Sequence, residues 1–155
     1  MRPIIFAALV ALVAACTPND DEFGAPTDGY PADAAKIAGG VDWSAAEELA
    51  VELSEFKFAP DILSFRTGRP YALTLVNSGA LPHTFAAGEF FRAIAVKSLL
   101  FEDGEAGFPK LESISLAVDE SKTLFFVPVT PGSYELICTE PLHATFGMVG
   151  QIHIK

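Results

Sequence analysis

Soft and titratable side chains are scarce in this chain. Its 155 residues include two cysteines, three histidines and two methionines, and Met1 is only the initiator, so Met148 is the sole internal thioether. Basic residues are also few, with 10 Lys and Arg against 20 Asp and Glu. Phosphate backbones are bound by clustered Lys and Arg, so nucleic-acid binding is disfavoured. Neither a nucleophile elbow nor a His-Glu-x-x-His run occurs, and no acid–base constellation stands out, so no enzyme is expected. Internal repeats, long helical patterns and Met- or His-rich tracts are absent as well.

The N-terminus reads as an export signal. Arg2 is a short positive region, and Ile4 to Ala15 is an apolar run too short to span a bilayer, ending in small residues. Val13-Ala14-Ala15-Cys16 resembles a bacterial lipobox, which implies cleavage before Cys16 and lipid on its sulfur. Thr17 offers no acidic retention signal, which in a Gram-negative cell favours the outer membrane over the inner. The expected location is the cell envelope, on the periplasmic face of the outer (or inner) membrane. Loss of Arg2 moves the formal net charge from −10 to −11. Eight acids precede residue 51 (Asp20, Asp21, Glu22, Asp28, Asp33, Asp42, Glu47 and Glu48), against Lys36. Such a field either steers a basic partner or keeps a tail soluble.

Three segments follow: a signal peptide over 1–15, a flexible acidic tether over 16–49, and a folded domain over 50–155. The tether reading rests on Pro, Asp, Ala, Gly and Thr between Thr17 and Gly40, with a helical turn expected near Trp43. From residue 50, runs rich in Val, Ile, Phe, Tyr and Thr alternate with Gly, Pro and Asn. Strands are predicted near 50–57, 61–66, 71–77, 83–86, 112–118, 122–128, 132–138 and 149–155. Ile114, Leu116 and Val118 alternate with Ser113, Ser115 and Ala117, the period of a half-buried strand. Many short strands argue an all-β Greek-key β-sandwich. Between Gly88 and Gly107, Phe90, Phe91, Ile94, Leu99 and Leu100 recur at roughly helical spacing. That stretch predicts a short helical or irregular excursion whose Phe side chains belong to the core.

The chemistry concentrates in Cys138-Thr-Glu-Pro-Leu-His143-Ala-Thr-Phe-Gly-Met148, with His83 far upstream. One thiolate, two imidazoles and one thioether are the donor set of a type 1 copper site. Zinc takes Cys and His but gains little from a thioether, so Met148 argues for copper. A binuclear copper site needs a second cysteine where Leu142 stands, and a multicopper site needs more than three histidines. If Cys16 is lipidated, Cys138 is the one remaining thiol of an exported protein, and a metal that holds it accounts for that. His153 lies outside the motif and reads as a surface or edge histidine.

Cys-x4-His-x4-Met followed by the apolar strand Val149 to Ile154 resembles the closing hairpin of small cupredoxins, the plastocyanin, azurin and rusticyanin superfamily. Phe56-Lys-Phe-Ala-Pro60 and Asn77-Ser-Gly-Ala-Leu-Pro-His83 are similar to that family's opening strand and first-histidine loop. The resemblance implies one copper ion held by His83, Cys138, His143 and Met148, cycling between Cu(I) and Cu(II). Many relatives carry Gly where Leu142 stands. With Leu81, Pro82, Pro141, Ala144 and Phe146, Leu142 would build an apolar collar around His143, which in the family is where partners dock. Relatives also carry Asn where Thr84 stands, so the hydrogen bonds between the ligand loops should be weaker or differently made. Pro82 before His83 resembles plastocyanin-like sites, where no glycine carbonyl supplies a fifth ligand.

These readings predict a monomeric, membrane-tethered one-electron carrier, with redox partners such as c-type cytochromes or oxidases. A periplasmic copper protein for tolerance, storage or delivery is the alternative. A sandwich that has lost its metal and serves as an interaction module is a third.

Overall fold

Alternating apolar residues lay down strands whose inner faces meet in one core. A computed structural model describes residues 28–155. Its strands are β1 (Glu47–Ser54), β2 (Lys57–Ala59), β3 (Ile62–Phe65), β4 (Tyr71–Asn77), β5 (His83–Ala86) and β6 (Ile94–Phe101). They continue with β7 (Gly104–Gly107), β8 (Ser113–Leu116), β9 (Ser121–Pro128), β10 (Gly132–Ile137) and β11 (Val149–Ile154). Two helices are short, α1 (Ala34–Gly39) and α2 (Gly88–Arg92), and Trp43–Ala45 makes one 3₁₀ turn. Among the described residues no helix is long and apolar enough to cross a membrane.

Six strands form one sheet in the order β2-β1-β4-β9-β6-β7, and five form the other, β3-β11-β10-β5-β8. Two pairings, β1 with β4 and β3 with β11, are parallel, and the remainder are antiparallel. This is the expected all-β sandwich. Val51 and Leu53 of β1, Leu63 and Phe65 of β3, and Ile114 and Leu116 of β8 point inward, while their neighbours face solvent. Phe65, Tyr71, Phe90 and Phe126 pack edge-on and stacked at the centre, with centroids 4.9–5.8 Å apart. Burial of such aromatic surface is the principal stabilising term in a sandwich of this size.

Two stretches differ from the sequence expectation. Residues 88–107 are an excursion only at α2; from Ile94 the chain is strand β6, paired along most of its length with β9, and β7 forms a sheet edge. A register shift between Val96 and Ser98 interrupts the two-residue alternation, which is why the apolar spacing resembled a helix. Phe90, Phe91 and Ile94 are core residues, as expected.

The second stretch is 28–49, assigned by composition to the tether. Here α1 packs on β6 and β9, and β1 already begins at Glu47. Trp43 donates its indole N–H to Ala38 O (2.8 Å) and meets Phe125 edge-on, with Lys97 over its ring. Tyr30 donates to Leu111 O (2.7 Å), and Lys110 pairs with Asp28. A few long-range anchors therefore seat a segment poor in apolar residues. The signal peptide, Cys16 and the rest of the tether lie outside the described residues.

Candidate metal centre

Three loops converge at one pole of the sandwich. His83 is the first residue of β5, opposite Leu116 of β8, and is fully buried. The loop that delivers it is built around Asn77, itself buried. Its amide nitrogen donates to Leu81 O (2.9 Å), Ala117 O (2.9 Å) and Leu116 O (3.3 Å), and its oxygen accepts from Gly79 N (3.0 Å). One side chain thus ties the loop 77–83 to β8.

Cys138 follows β10, and its N–H donates to Met148 O at 3.1 Å. Between them the chain coils tightly: Phe146 N donates to Leu142 O, Gly147 N to Ala144 O, and Met148 N to His143 O, each at 3.0 Å. Leu142 has φ +69° and Gly147 φ +103°, both in the left-handed region. A leucine there costs about 1–2 kcal/mol that glycine does not.

The side chains of His83, Cys138 and His143 are brought together, all buried, with one donor atom from each lying within 4.8 Å of the others. The two imidazoles face each other through Nδ1 at 3.1 Å, and Cys138 Sγ lies 3.4 Å from His143 Nδ1. Met148 is fully buried at the end of the same loop, and its backbone bonds both Cys138 and His143. His153 stands apart on β11, inside the second sheet, a half-buried histidine with Nδ1 2.9 Å from Ser133 Oγ.

Thr84 makes two bonds between the loops. Its N–H points at Cys138 Sγ (3.4 Å) and its hydroxyl donates to Glu140 Oε1 (3.1 Å). The link is therefore made differently from an Asn-based one. Glu55 and Phe56, side by side between β1 and β2, were not anticipated from sequence. Glu55 Oε1 lies 3.6 Å from His83 Nε2, and the Phe56 ring meets His143 edge-on with centroids 5.0 Å apart. Nothing in the local sequence marks them, because the contact is made across the sandwich pole.

Burial, and then the neighbouring His143, pushes His83 below the usual imidazole range, so the ring is neutral. Backbone N–H groups, its own first, hold the Glu55 carboxyl below its ordinary value. The donor set accepts a soft or borderline cation. Three buried donors crowd together, and the two facing Nδ1 atoms can share a single proton. Among the described residues no carboxylate, the usual ligand of a hard cation, is a member of the cluster. The residues fit one copper ion.

No protein-family model matches the sequence, and no protein of curated function does. Solved structures do match in shape. Dithionite-reduced auracyanin from the photosynthetic bacterium Roseiflexus castenholzii aligns with TM-score 0.50 and 21% identity, over 72% of this chain and 98% of that one. A copper-containing nitrite reductase from Thermus scotoductus aligns with TM-score 0.57 and 15% identity, over 81% of this chain but 33% of the reductase. A multicopper oxidase from Campylobacter jejuni aligns with TM-score 0.54 and 17% identity, over 71% of this chain and 30% of the oxidase. The chain thus spans almost the whole auracyanin and about a third of the two enzymes. Sheet order, closing hairpin and shape together define a cupredoxin-fold protein. Within that fold, it is one with a buried His-Cys-His cluster at the pole.

Proposed function

We propose that this protein is a type 1 copper protein that carries single electrons while tethered by lipid on Cys16 to a membrane outside the cytoplasm. The observation that carries the reading is the convergence of His83, Cys138 and His143 in a buried cluster, with Met148 closing the same loop. Copper held there supplies a one-electron couple between Cu(I) and Cu(II). His83, Cys138 and His143 would hold it, and the Met148 thioether would add a soft, weaker donor that tunes the potential. The framework is fixed by protein hydrogen bonds: Asn77 braces the His83 loop, and the Cys138–Met148 backbone bond closes the other. A site whose donors need little rearrangement between oxidation states exchanges electrons quickly.

Electrons leave through His143. Leu81, Pro82, Pro141, Leu142, Ala144 and Phe146 are all exposed around it, an apolar collar suited to brief docking. The acidic chain steers a partner with a basic rim, such as a c-type cytochrome or an oxidase. The tether raises effective concentration toward partners in the same membrane. A carrier fits a chain that covers nearly all of the auracyanin it resembles but about a third of the two enzymes.

Copper retention separates this reading from storage or delivery. The copper-loaded protein is mixed with a Cu(I) chelator in reductant, and separately with a reduced c-type cytochrome. A carrier keeps its copper and oxidises the cytochrome within seconds. Quantitative surrender of Cu(I) with no electron exchange would establish delivery instead.

A further inference from the structure

His83 has two ring nitrogens with different surroundings. Nδ1 faces His143 Nδ1 and the Cys138 pole, so once it serves as a donor the ring proton belongs on Nε2. Nε2 is buried and, among the described residues, has no partner within hydrogen-bond distance. A buried N–H without an acceptor is unfavourable, so a donor role for Nδ1 calls for an acceptor on the far side of the ring. Glu55 Oε1 stands there at 3.6 Å.

That carboxylate is not a loose surface group. Its Oε1 accepts the N–H of Leu81 at 2.8 Å, and the surrounding backbone N–H groups hold the carboxyl below its ordinary value. Leu81 is two residues before His83, so the same acid grips the loop and faces the ring. Gly79 makes room for the approach. A Cβ there would stand 2.7 and 2.8 Å from the two carboxylate oxygens and 2.8 Å from His83 Nε2. A side chain at that position would wedge acid and ring apart. The next residue, Phe56, covers His143 edge-on. The turn between β1 and β2 thus touches both histidines with consecutive side chains.

We propose that Glu55 is a positioning residue of the metal site. Its carboxylate takes the Nε2–H of His83, holds the ring with Nδ1 toward Cys138 and His143, and biases the site toward the more highly charged ion. This rests on the copper reading above. An anionic acceptor raises the basicity of the imidazole, and a more basic ligand favours the oxidised ion.

The test uses the full-length protein loaded with copper, as wild type, Glu55→Gln, Glu55→Asp and Gly79→Ala. Redox titration and visible absorption are read on each, and the His83 Nε2–H is followed by ¹⁵N NMR in the Cu(I) form. Glu55→Gln is expected to keep its copper while the preference for Cu(II) over Cu(I) falls about tenfold, a rise of about 59 mV for one electron. Glu55→Asp, which keeps the charge, returns part of that change. The Nε2–H exchanges slowly in wild type and quickly in Gly79→Ala. A wild-type potential in Glu55→Gln, with the proton equally protected in every variant, would overturn the proposal and leave Glu55 as a loop brace. Wild-type protein that takes up no copper would instead overturn the metal reading itself.

Discussion

His83 and His143, sixty positions apart in sequence, meet through Nδ1 atoms 3.1 Å apart in a buried pocket. Burial holds His83 below the ordinary imidazole range, with His143 adding to it. The unfolded chain therefore binds a proton near pH 6.5 that the folded metal-free protein refuses.

Stability of the metal-free protein should accordingly be fully present above pH 6.5 and decline as pH falls through that value toward the depressed folded pKa. One proton limits the slope to roughly 1.4 kcal/mol per pH unit. Urea denaturation at several pH values between 7.5 and 5.5 reads this directly, and His83→Gln should flatten the dependence.

Asn77→Ala should destabilise the fold by about 3 kcal/mol. The side chain makes four hydrogen bonds, and its removal leaves buried carbonyls without donors. Because the loop it braces delivers His83, copper affinity should fall with stability. Chemical denaturation with and without copper separates the two effects; a variant as stable as wild type would refute the brace.

Leu142→Gly should be slightly more stable than wild type, by about 0.5 kcal/mol, since relief of the left-handed strain exceeds the added freedom of glycine in the unfolded chain. Leu142 is 64% exposed, so little packing is lost. Under the proposed function the same variant should exchange electrons more slowly with a cytochrome, because the collar loses a large exposed apolar side chain. Thermal melts and stopped-flow mixing measure the two sides. Slower exchange without a stability gain would place the strain elsewhere.

The four proposed ligands stood out because the chain spends scarce residue types on them, three at a spacing that a single loop can close and His83 far upstream. Strands were legible where runs of Val, Ile, Phe, Tyr and Thr stand between turn residues, with the two-residue period marking β8: β4 and β5 fall where they were placed, and β8 to β11 within three residues of it. The period failed at β6, where the shift at Val96/Ser98 breaks it. Composition also hid the packing of residues 28–46, since Tyr30 and Trp43 anchor that segment through contacts with residues about 80 positions away. Glu55 was invisible for the same reason. Its partner His83 is near only in the folded chain, and no local pattern announces a contact of that kind. Thr84 lies between these cases: its identity signalled a changed network, and the structure supplies the new partner, Glu140.

The central claim is that His83, Cys138 and His143 hold one copper ion through a thiolate bond. Titration of the metal-free protein with Cu(II), followed by visible absorption and EPR with Cys138→Ser as control, tests it most directly. The account predicts an intense thiolate-to-copper band that saturates at one copper per chain and is absent from the variant. A colourless protein that binds copper weakly, with the same spectrum in Cys138→Ser, would contradict it.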